Sequence, residues 1–112
     1  MSDVLGAKTI LHPVSDLTKA KAVYTALLGV EPTADSEYYV GYDVAGQHIG
    51  LVPGGQGGPV AYWHVTDIEG KIAQVTEAGG AVKEAPKEVG HGRRVATVTD
   101  GDGNVLGLLQ DK

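Results

Sequence analysis

The segment PVSDL at residues 13–17 decides the fold, because the chain repeats it as HVTDI at residues 64–68. Each copy ends an apolar, strand-like run and begins a stretch whose apolar residues have the spacing of an amphipathic helix. The Ser/Thr–Asp pair at each junction supplies side-chain oxygens that accept hydrogen bonds from a first helical turn. Gly29 lies fifteen residues after Val14, and Gly80 lies fifteen residues after Val65. The sequence therefore predicts two modules of one architecture.

The second part of each module repeats as well. Residues 43–52 align with residues 100–109, so that an Asp, a turn Gly and a later Gly coincide. The pattern predicts the order βαβββ in each module. Helices are predicted at about 16–28, with a buried stripe that includes Leu27, and at about 67–78, with a capping box from Thr66 to Glu69. Strands are predicted at about 9–14, 30–33, 37–44, 47–52, 60–65, 81–84, 94–99 and 105–110, with a polar loop at 86–92.

The chain is predicted to form a single domain over residues 1–112, because this length suffices for one core. Module one is expected at about 5–53 and module two at about 59–112, with a glycine-rich joint at 54–58. A GGxGG loop suggests a phosphate cradle only when a helix begins directly behind it. A strand is predicted there instead, so the segment is interpreted as a joint.

The composition excludes several classes of function. The net charge is −5 and no block of basic residues is present, so nucleic acid is not expected as a partner. No apolar run of membrane-spanning length and no signal-peptide pattern occur, so we expect no membrane partner and a cytoplasmic location. The absence of cysteine removes thiol catalysis. The DGDGN segment at residues 100–104 lacks the later Gly and Glu of a calcium loop and is predicted to be a turn.

The sequence resembles the vicinal oxygen chelate superfamily, which includes glyoxalase I, extradiol dioxygenases and bleomycin-resistance proteins. The similarity is carried by PVSDL followed by Ala20, Tyr24 and LLG at 27–29, and in the second half by VTD at 65–67, AGG at 78–80 and DGDGN at 100–104. The resemblance implies an α+β fold in which two βαβββ modules form a cup with their curved sheets, the helices lying on the outer face. It covers nearly the whole chain, but many chemistries use this scaffold.

The resemblance also implies where a metal would be held. Members with metal chemistry carry one ligand on the first strand and one on the last strand of each module, which here are Thr9, Gly50, Val60 and Gly107. Three of these residues have no donor atom, and a Thr hydroxyl is a poor anchor for a transition metal. No metal and no cofactor are therefore predicted, and metal-dependent catalysis is disfavoured. The two glycines are expected to enlarge a cavity.

Strand alternation predicts which residues face the cup. The candidate ligand-binding residues are Thr9, Leu11, His48, Gly50, Val60, Tyr62, His64 and Gly107. His12 and Trp63 fall on the opposite face, beneath the helices, where His12 is expected to pack. Arg93 or Arg94 is placed to meet an anionic ligand, although a solvated edge charge is the commoner role of such residues. A metal site relocated to His48 and His64 is an open alternative.

These features predict a metal-free small-molecule binding protein, similar to the bleomycin-resistance proteins, that holds an apolar or aromatic ligand. A homodimer is expected, because cups in this superfamily are often completed by dimers. No catalytic residue is assigned. One alternative is a lyase, isomerase or dioxygenase that uses an unconventional metal site or acid–base chemistry by His48 or His64. Another is a structural or regulatory module that binds protein.

Overall fold

The computed structural model describes residues 3–54 and 58–111, so residues 55–57 of the predicted joint lie outside the described residues. Each half of the chain has the order strand, helix and three strands, as the repeat predicts. The elements are β1 (Val4–Val14), α1 (Leu17–Leu28), β2 (Ala34–Asp35), β3 (Val40–Val44), β4 (Gln47–Pro53), β5 (Val60–Val65), α2 (Ile68–Glu77), β6 (Ala81–Gly90), β7 (Arg93–Thr99) and β8 (Val105–Gln110).

The chain divides into two compact units with the same internal topology. The first unit is Lys8–Val60, and the second comprises the described residues of Met1–Ala7 and Ala61–Lys112. Strand order in the first unit is β2-β3-β4-β1, in which β1 and β4 are parallel and the other neighbours antiparallel. Strand order in the second unit is β6-β7-β8-β5, in which β5 and β8 are parallel and the other neighbours antiparallel. The identical pattern supports a duplicated module.

The repeated Asp begins each helix. The Asp16 carboxylate accepts a hydrogen bond from the Lys19 N–H at 3.1 Å, and Gly29 ends α1 in the left-handed conformation with φ of 72°. The Asp67 carboxylate accepts a hydrogen bond from the Gly70 N–H at 3.1 Å at the start of α2. The capping box expected from residues 66 to 69 is therefore wrong, because the cap lies one residue later in the chain.

One sheet face in each unit packs against the helix of that unit. The buried residues of the first core are Val40, Tyr42, Ile49 and Leu51, packed against apolar side chains of α1 and β1. The buried residues of the second core are Val65, Ile68, Ala96, Val98 and Leu108. Because successive strand side chains alternate, the residues between these lie on the face away from the helix.

Several local predictions are wrong. Leu27 is 72% exposed, because it lies at the edge of the helical stripe that packs on the sheet. Trp63 is 40% exposed, so it is not covered in the way expected for a residue beneath a helix. Residues 86–90 continue the edge strand β6 instead of forming a loop, and shifts in the β6–β7 register accommodate Pro86. Residues 37–39 precede β3 rather than belonging to it.

The α+β class and the paired βαβββ order are confirmed. Within the described residues, neither helix has the length and apolar character needed to cross a bilayer.

Candidate functional site

Four of the predicted ligand-binding residues lie together on the first unit, on the face away from α1. Thr9 is the Cα partner of His48, and Leu11 is the Cα partner of Gly50. Gly50 is in turn the partner of Gly41 on β3. Thr9 is 5% exposed, and the His48 side chain is 25% exposed. This face thus combines a largely buried imidazole with two adjacent glycines.

Tyr39, which was not among the predicted site residues, covers the two glycines. A Cβ atom on Gly50 would lie 2.4 Å from the Tyr39 hydroxyl and 2.6 Å from Leu11 Cδ2. A Cβ atom on Gly41 would lie 2.8 Å from Tyr39 Cε2 and 2.7 Å from His48 Cε1. The expectation that Gly50 enlarges a cavity is therefore wrong, because an aromatic ring takes the space that the missing side chain leaves.

The hydroxyl of Tyr39 begins a chain of hydrogen bonds. Tyr39 Oη bonds to His48 Nε2, and His48 Nδ1 lies 2.9 Å from Asp43 Oδ1. The Thr33 hydroxyl donates to the other carboxylate oxygen of Asp43 at 2.7 Å. The Tyr39 and His48 rings are nearly parallel, with an interplanar angle of 13°. A phenol, an imidazole and a carboxylate are thus connected in one line across this face.

The Asp43 carboxylate is held in its charged form. Hydrogen bonds from His48 and then from Thr33 lower the pKa of this carboxyl below its ordinary value of 3.8. Because an ionised carboxylate can only accept hydrogen bonds, His48 Nδ1 carries the proton and donates it to Asp43. The hydrogen bond between His48 Nε2 and the Tyr39 hydroxyl completes the chain. A second group therefore orients this histidine, which the sequence did not show.

The second unit covers its equivalent glycine differently. Tyr62 is the Cα partner of Gly107, and a Cβ atom on Gly107 would lie 2.6 Å from Tyr62 Cγ. Burial and then the charge of Glu84 raise the pKa of the Tyr62 phenol above its ordinary value of 10.0. Thr97 donates a hydrogen bond to Glu84 at 3.1 Å. Gly107 likewise opens no space, because the Tyr62 ring fills it.

His64 lies in the second unit beside an acidic residue. Its Nδ1 atom is 3.8 Å from Asp111 Oδ2, and the Arg93 Nε–H donates to Asp111 Oδ1 at 2.6 Å. Arg94 pairs with Glu69 at 3.3 Å. Both arginines therefore pair with carboxylates within their own unit. Val60, the remaining predicted ligand-binding residue, is the half-buried first residue of β5.

His12 packs, as the alternation of β1 predicts. Its Nδ1 atom is 3.2 Å from the Tyr24 hydroxyl of α1, and the two ring centroids are 5.0 Å apart. Burial lowers the pKa of His12 from its ordinary value of 6.5. A neutral histidine in contact with a helix side chain matches the packing role.

The positions at which the resemblance implies metal ligands do not fit a transition metal. Gly50, Val60 and Gly107 have no side-chain donor, and aromatic rings occupy the space over both glycines. The nearest alternative ligand on the first unit is His48, but both of its ring nitrogens already make hydrogen bonds. Over residues 3–54 and 58–111, no three His, Asp or Glu side chains are grouped closely enough to hold a metal ion.

A cavity of about 500 Å³ lies on the helix side of the first unit. The ion pair between Lys21 and Asp35 lies at this cavity, and the hydrogen bond from Lys21 to Asp35 raises the pKa of the amine. Its lining residues are Leu17, Thr18, Lys21, Asp35, Ser36, Glu37 and Val40. The sequence did not predict this cavity, because it depends on where the short β2 strand meets α1.

Two residues of the Tyr39–His48–Asp43 chain were missed by reasoning from sequence. Tyr39 was expected within a strand that ran from residue 37, and Asp43 was considered only as part of the repeat. The sequence nevertheless contained a signal. Residues 39, 41 and 43 alternate along the chain, so an extended backbone places them on one face, and Gly41 on that face is the partner of Gly50. The position of the Tyr39 ring also depends on the loop before β3, in which the Ser36 hydroxyl accepts hydrogen bonds from the N–H groups of Tyr38 and Tyr39.

Comparison with known proteins identifies the family. The model of the Glyoxalase/Bleomycin resistance protein/Dioxygenase superfamily matches residues 6–108, so the chain belongs to this superfamily. The resemblance seen in the sequence is thereby confirmed. No curated protein matches the chain.

Similar solved structures differ in activity. A glyoxalase/bleomycin resistance protein/dioxygenase superfamily member from Vibrio splendidus 12B01 is 20% identical with a TM-score of 0.74, covering 92% of this chain and 97% of that chain. Methylmalonyl-CoA epimerase from Mycobacterium tuberculosis is 18% identical with a TM-score of 0.74, covering 100% and 91%. The Mn(II)-bound glyoxalase from Novosphingobium aromaticivorans is 18% identical with a TM-score of 0.76, covering 99% and 40%. At these identities the similarity establishes the fold alone.

Proposed function

We propose that this protein binds a small apolar or aromatic molecule without a transition metal, on the face of the first unit that carries Tyr39 and His48. The observation that carries the proposal is that two of the four positions at which the resemblance implies metal ligands are glycines, Gly50 and Gly107, each covered by a tyrosine ring. Such a surface offers aromatic stacking area close to polar side chains. A homodimer is part of the proposal by analogy with the family.

The polar groups on this face suit a ligand with one hydrogen-bonding group. Leu11 and the Tyr39 ring provide apolar area, and the Tyr39–His48–Asp43 chain provides a single polar point. A site of this kind binds by burying apolar surface and orients the ligand with few polar contacts. Nothing in this mode of binding requires a metal ion.

The test is an NMR titration of EDTA-treated, isotopically labelled protein with a set of small aromatic compounds. We expect chemical-shift changes on β1, β3 and β4 around Tyr39 and His48. Binding should weaken in Tyr39→Ala, whereas Tyr38→Ala, at a position that is 79% exposed, serves as the matched control. Binding that requires added metal, or shifts confined to the cavity beside Lys21, would refute the proposal. Native mass spectrometry of the same sample counts the subunits.

A further inference from the structure

We infer that the cavity on the helix side of the first unit is a second binding site, for a small organic ammonium ion that carries an apolar chain. The cavity lies where the start of α1 meets β2 and the loop after β2. Val40, which lines it, belongs to the core packed against α1, whereas His48 lies on the other face of the sheet. This site is therefore separate from the face of the proposed function.

The cavity has the size and the apolar lining that a small-molecule site needs. Its volume of about 500 Å³ lies within the range of about 300–1,000 Å³ that such sites occupy. Leu17 from the first turn of α1 and Val40 from β3 contribute apolar side chains to the lining, and Val40 is only 1% exposed. An alkyl chain that contacts these side chains is removed from water, which favours binding.

The charges at the cavity favour a cation. Its lining contains one ammonium group, that of Lys21, and two carboxylates, those of Asp35 and Glu37. Lys21 is paired with Asp35. Over residues 3–54 and 58–111, no ion pair involves Glu37. The lining therefore has one excess negative charge, which an ammonium ion complements.

The two positive features near the cavity already have partners. The hydrogen bond from Lys21 to Asp35 raises the pKa of the amine, so Lys21 stays charged and paired. The start of α1 is capped by its own side chain, because the Asp16 carboxylate accepts a hydrogen bond from the Lys19 N–H at 3.1 Å. An anionic ligand would compete with Asp35 for Lys21 and would be repelled by Glu37.

The loop that carries Glu37 is held by Ser36. The Ser36 N–H and hydroxyl donate hydrogen bonds to the Tyr39 carbonyl oxygen at 2.9 and 3.2 Å. The same hydroxyl accepts from the N–H groups of Tyr38 and Tyr39 at 3.2 and 3.1 Å. The backbone on both sides of Glu37 is thus fixed before a ligand arrives, so binding does not have to order this segment.

The test compares three probes that share a pentyl chain, namely pentylammonium, 1-pentanol and hexanoate. Each is titrated into nitrogen-15-labelled protein at low ionic strength, where charge pairing is least screened. We expect saturable shifts from pentylammonium in the amide signals of residues 17–21 and 35–40, weaker binding of 1-pentanol and the weakest binding of hexanoate. Equal binding of the three probes, tighter binding of hexanoate, or no saturable shift by pentylammonium at these residues would overturn the inference.

Glu37→Gln removes the negative charge and keeps the shape of the side chain. Affinity for pentylammonium should fall roughly fivefold, as for the loss of an exposed ion pair, whereas affinity for 1-pentanol should not change. Glu77→Gln, at the end of α2, is the matched control, because it changes the net charge equally in the other unit. Both side chains are exposed, so neither variant is expected to lose its fold. Equal affinity for pentylammonium in the two variants would refute the role of Glu37.

Lys21→Met tests the sign of the charge from the other side. Removal of the ammonium group releases Asp35, so the cavity should bind pentylammonium roughly threefold more tightly. Methionine keeps the apolar stem of the lysine, and the ion pair that is lost is an exposed one, so the variant should remain folded. Unchanged or weaker binding of pentylammonium in Lys21→Met would show that the charges of the lining do not select the ligand, and would overturn the inference.

Discussion

In both units a tyrosine ring covers a glycine of the last strand, but the two tyrosines come from different parts of the module. In the second unit Tyr62 comes from the neighbouring parallel strand and lies directly opposite Gly107. In the first unit the residue opposite Gly50 is Leu11, and Tyr39 reaches the glycine from the loop before β3. The ring of the second unit is therefore fixed by strand register, whereas that of the first is fixed by a hydrogen-bond chain. Duplication preserved the glycine and allowed the chemistry around it to diverge.

The aligned aspartates show the same divergence. Asp100 accepts hydrogen bonds from the N–H groups of Asp102 and Asn104, both at 2.9 Å, and so stabilises a turn. Asp43 instead accepts from His48 and Thr33. The residue aligned with His48 in the second module is Val105, which offers no donor. The two aligned aspartates therefore have different partners, the backbone of a turn in one module and the side chains of His48 and Thr33 in the other.

The largest effect is expected for Gly107→Ala. The new Cβ atom would lie 2.5 Å from Tyr62 Cδ2 and 2.6 Å from Cγ, which is held close to its own backbone. Overpacking of this kind costs about 1–3 kcal/mol in the free energy of unfolding, measured by urea denaturation. Gly101→Ala, with no atom within 4 Å of the new Cβ, is the control. Equal stability of these two variants would contradict the tight packing of Tyr62 on Gly107.

Gly50→Ala is expected to cost less, about 1 kcal/mol in the free energy of unfolding. The atoms in its way are the ends of two side chains, the Tyr39 hydroxyl and Leu11 Cδ2, which can move. Their movement breaks the contact from Tyr39 to His48, so the nitrogen-15 signals of His48 should change in Gly50→Ala and stay unchanged in Gly107→Ala. If Gly107→Ala altered His48 as strongly, the two glycines would not act separately.

A smaller effect depends on pH. Because the folded state lowers the pKa of Asp43, its ionised form stabilises the fold above the ordinary pKa of 3.8, and this contribution is lost as the pH falls through the lower folded value. The difference in melting temperature between the wild type and Asp43→Asn should therefore shrink as the pH is lowered from 7 to below 3.8. The difference is small because Asp43 is 62% exposed.

Thr33→Val sharpens this test. It removes the second donor to Asp43 and should raise the pKa of the carboxyl part of the way towards its ordinary value, measured by carbon-13 NMR. A difference between the wild type and Asp43→Asn that stays constant down to acid pH would show that the carboxylate charge does not matter.

The smallest effect concerns Tyr62. Burial and the charge of Glu84 favour its neutral form, so Tyr62 should ionise above pH 10.0 in an ultraviolet titration. Glu84→Gln should lower this pKa only slightly, because burial is the larger cause. Tyr62→Phe identifies the signal. A Tyr62 phenol that ionised below its ordinary pKa would contradict the buried position assigned to it.

The fold could be predicted from the sequence because the repeat marks both helix starts and both glycine positions. The caps at Asp16 and Gly29 confirm how directly such residues determine local structure. The candidate site could be predicted only in part, because alternation along strands placed Thr9, Leu11, His48 and Gly50 together. It could not show that Tyr39 leaves the strand and turns onto His48. That contact depends on a loop whose geometry no periodicity encodes.

The central claim is that this member of the superfamily binds its ligand without a transition metal. The most direct test is elemental analysis of protein incubated with Mn²⁺, Ni²⁺ and Zn²⁺ and then dialysed, combined with 4-cyanophenol binding before and after EDTA. We predict no stoichiometric metal and the same affinity in both states. One metal ion per chain that is absent in His48→Asn, together with loss of binding after EDTA, would contradict the claim.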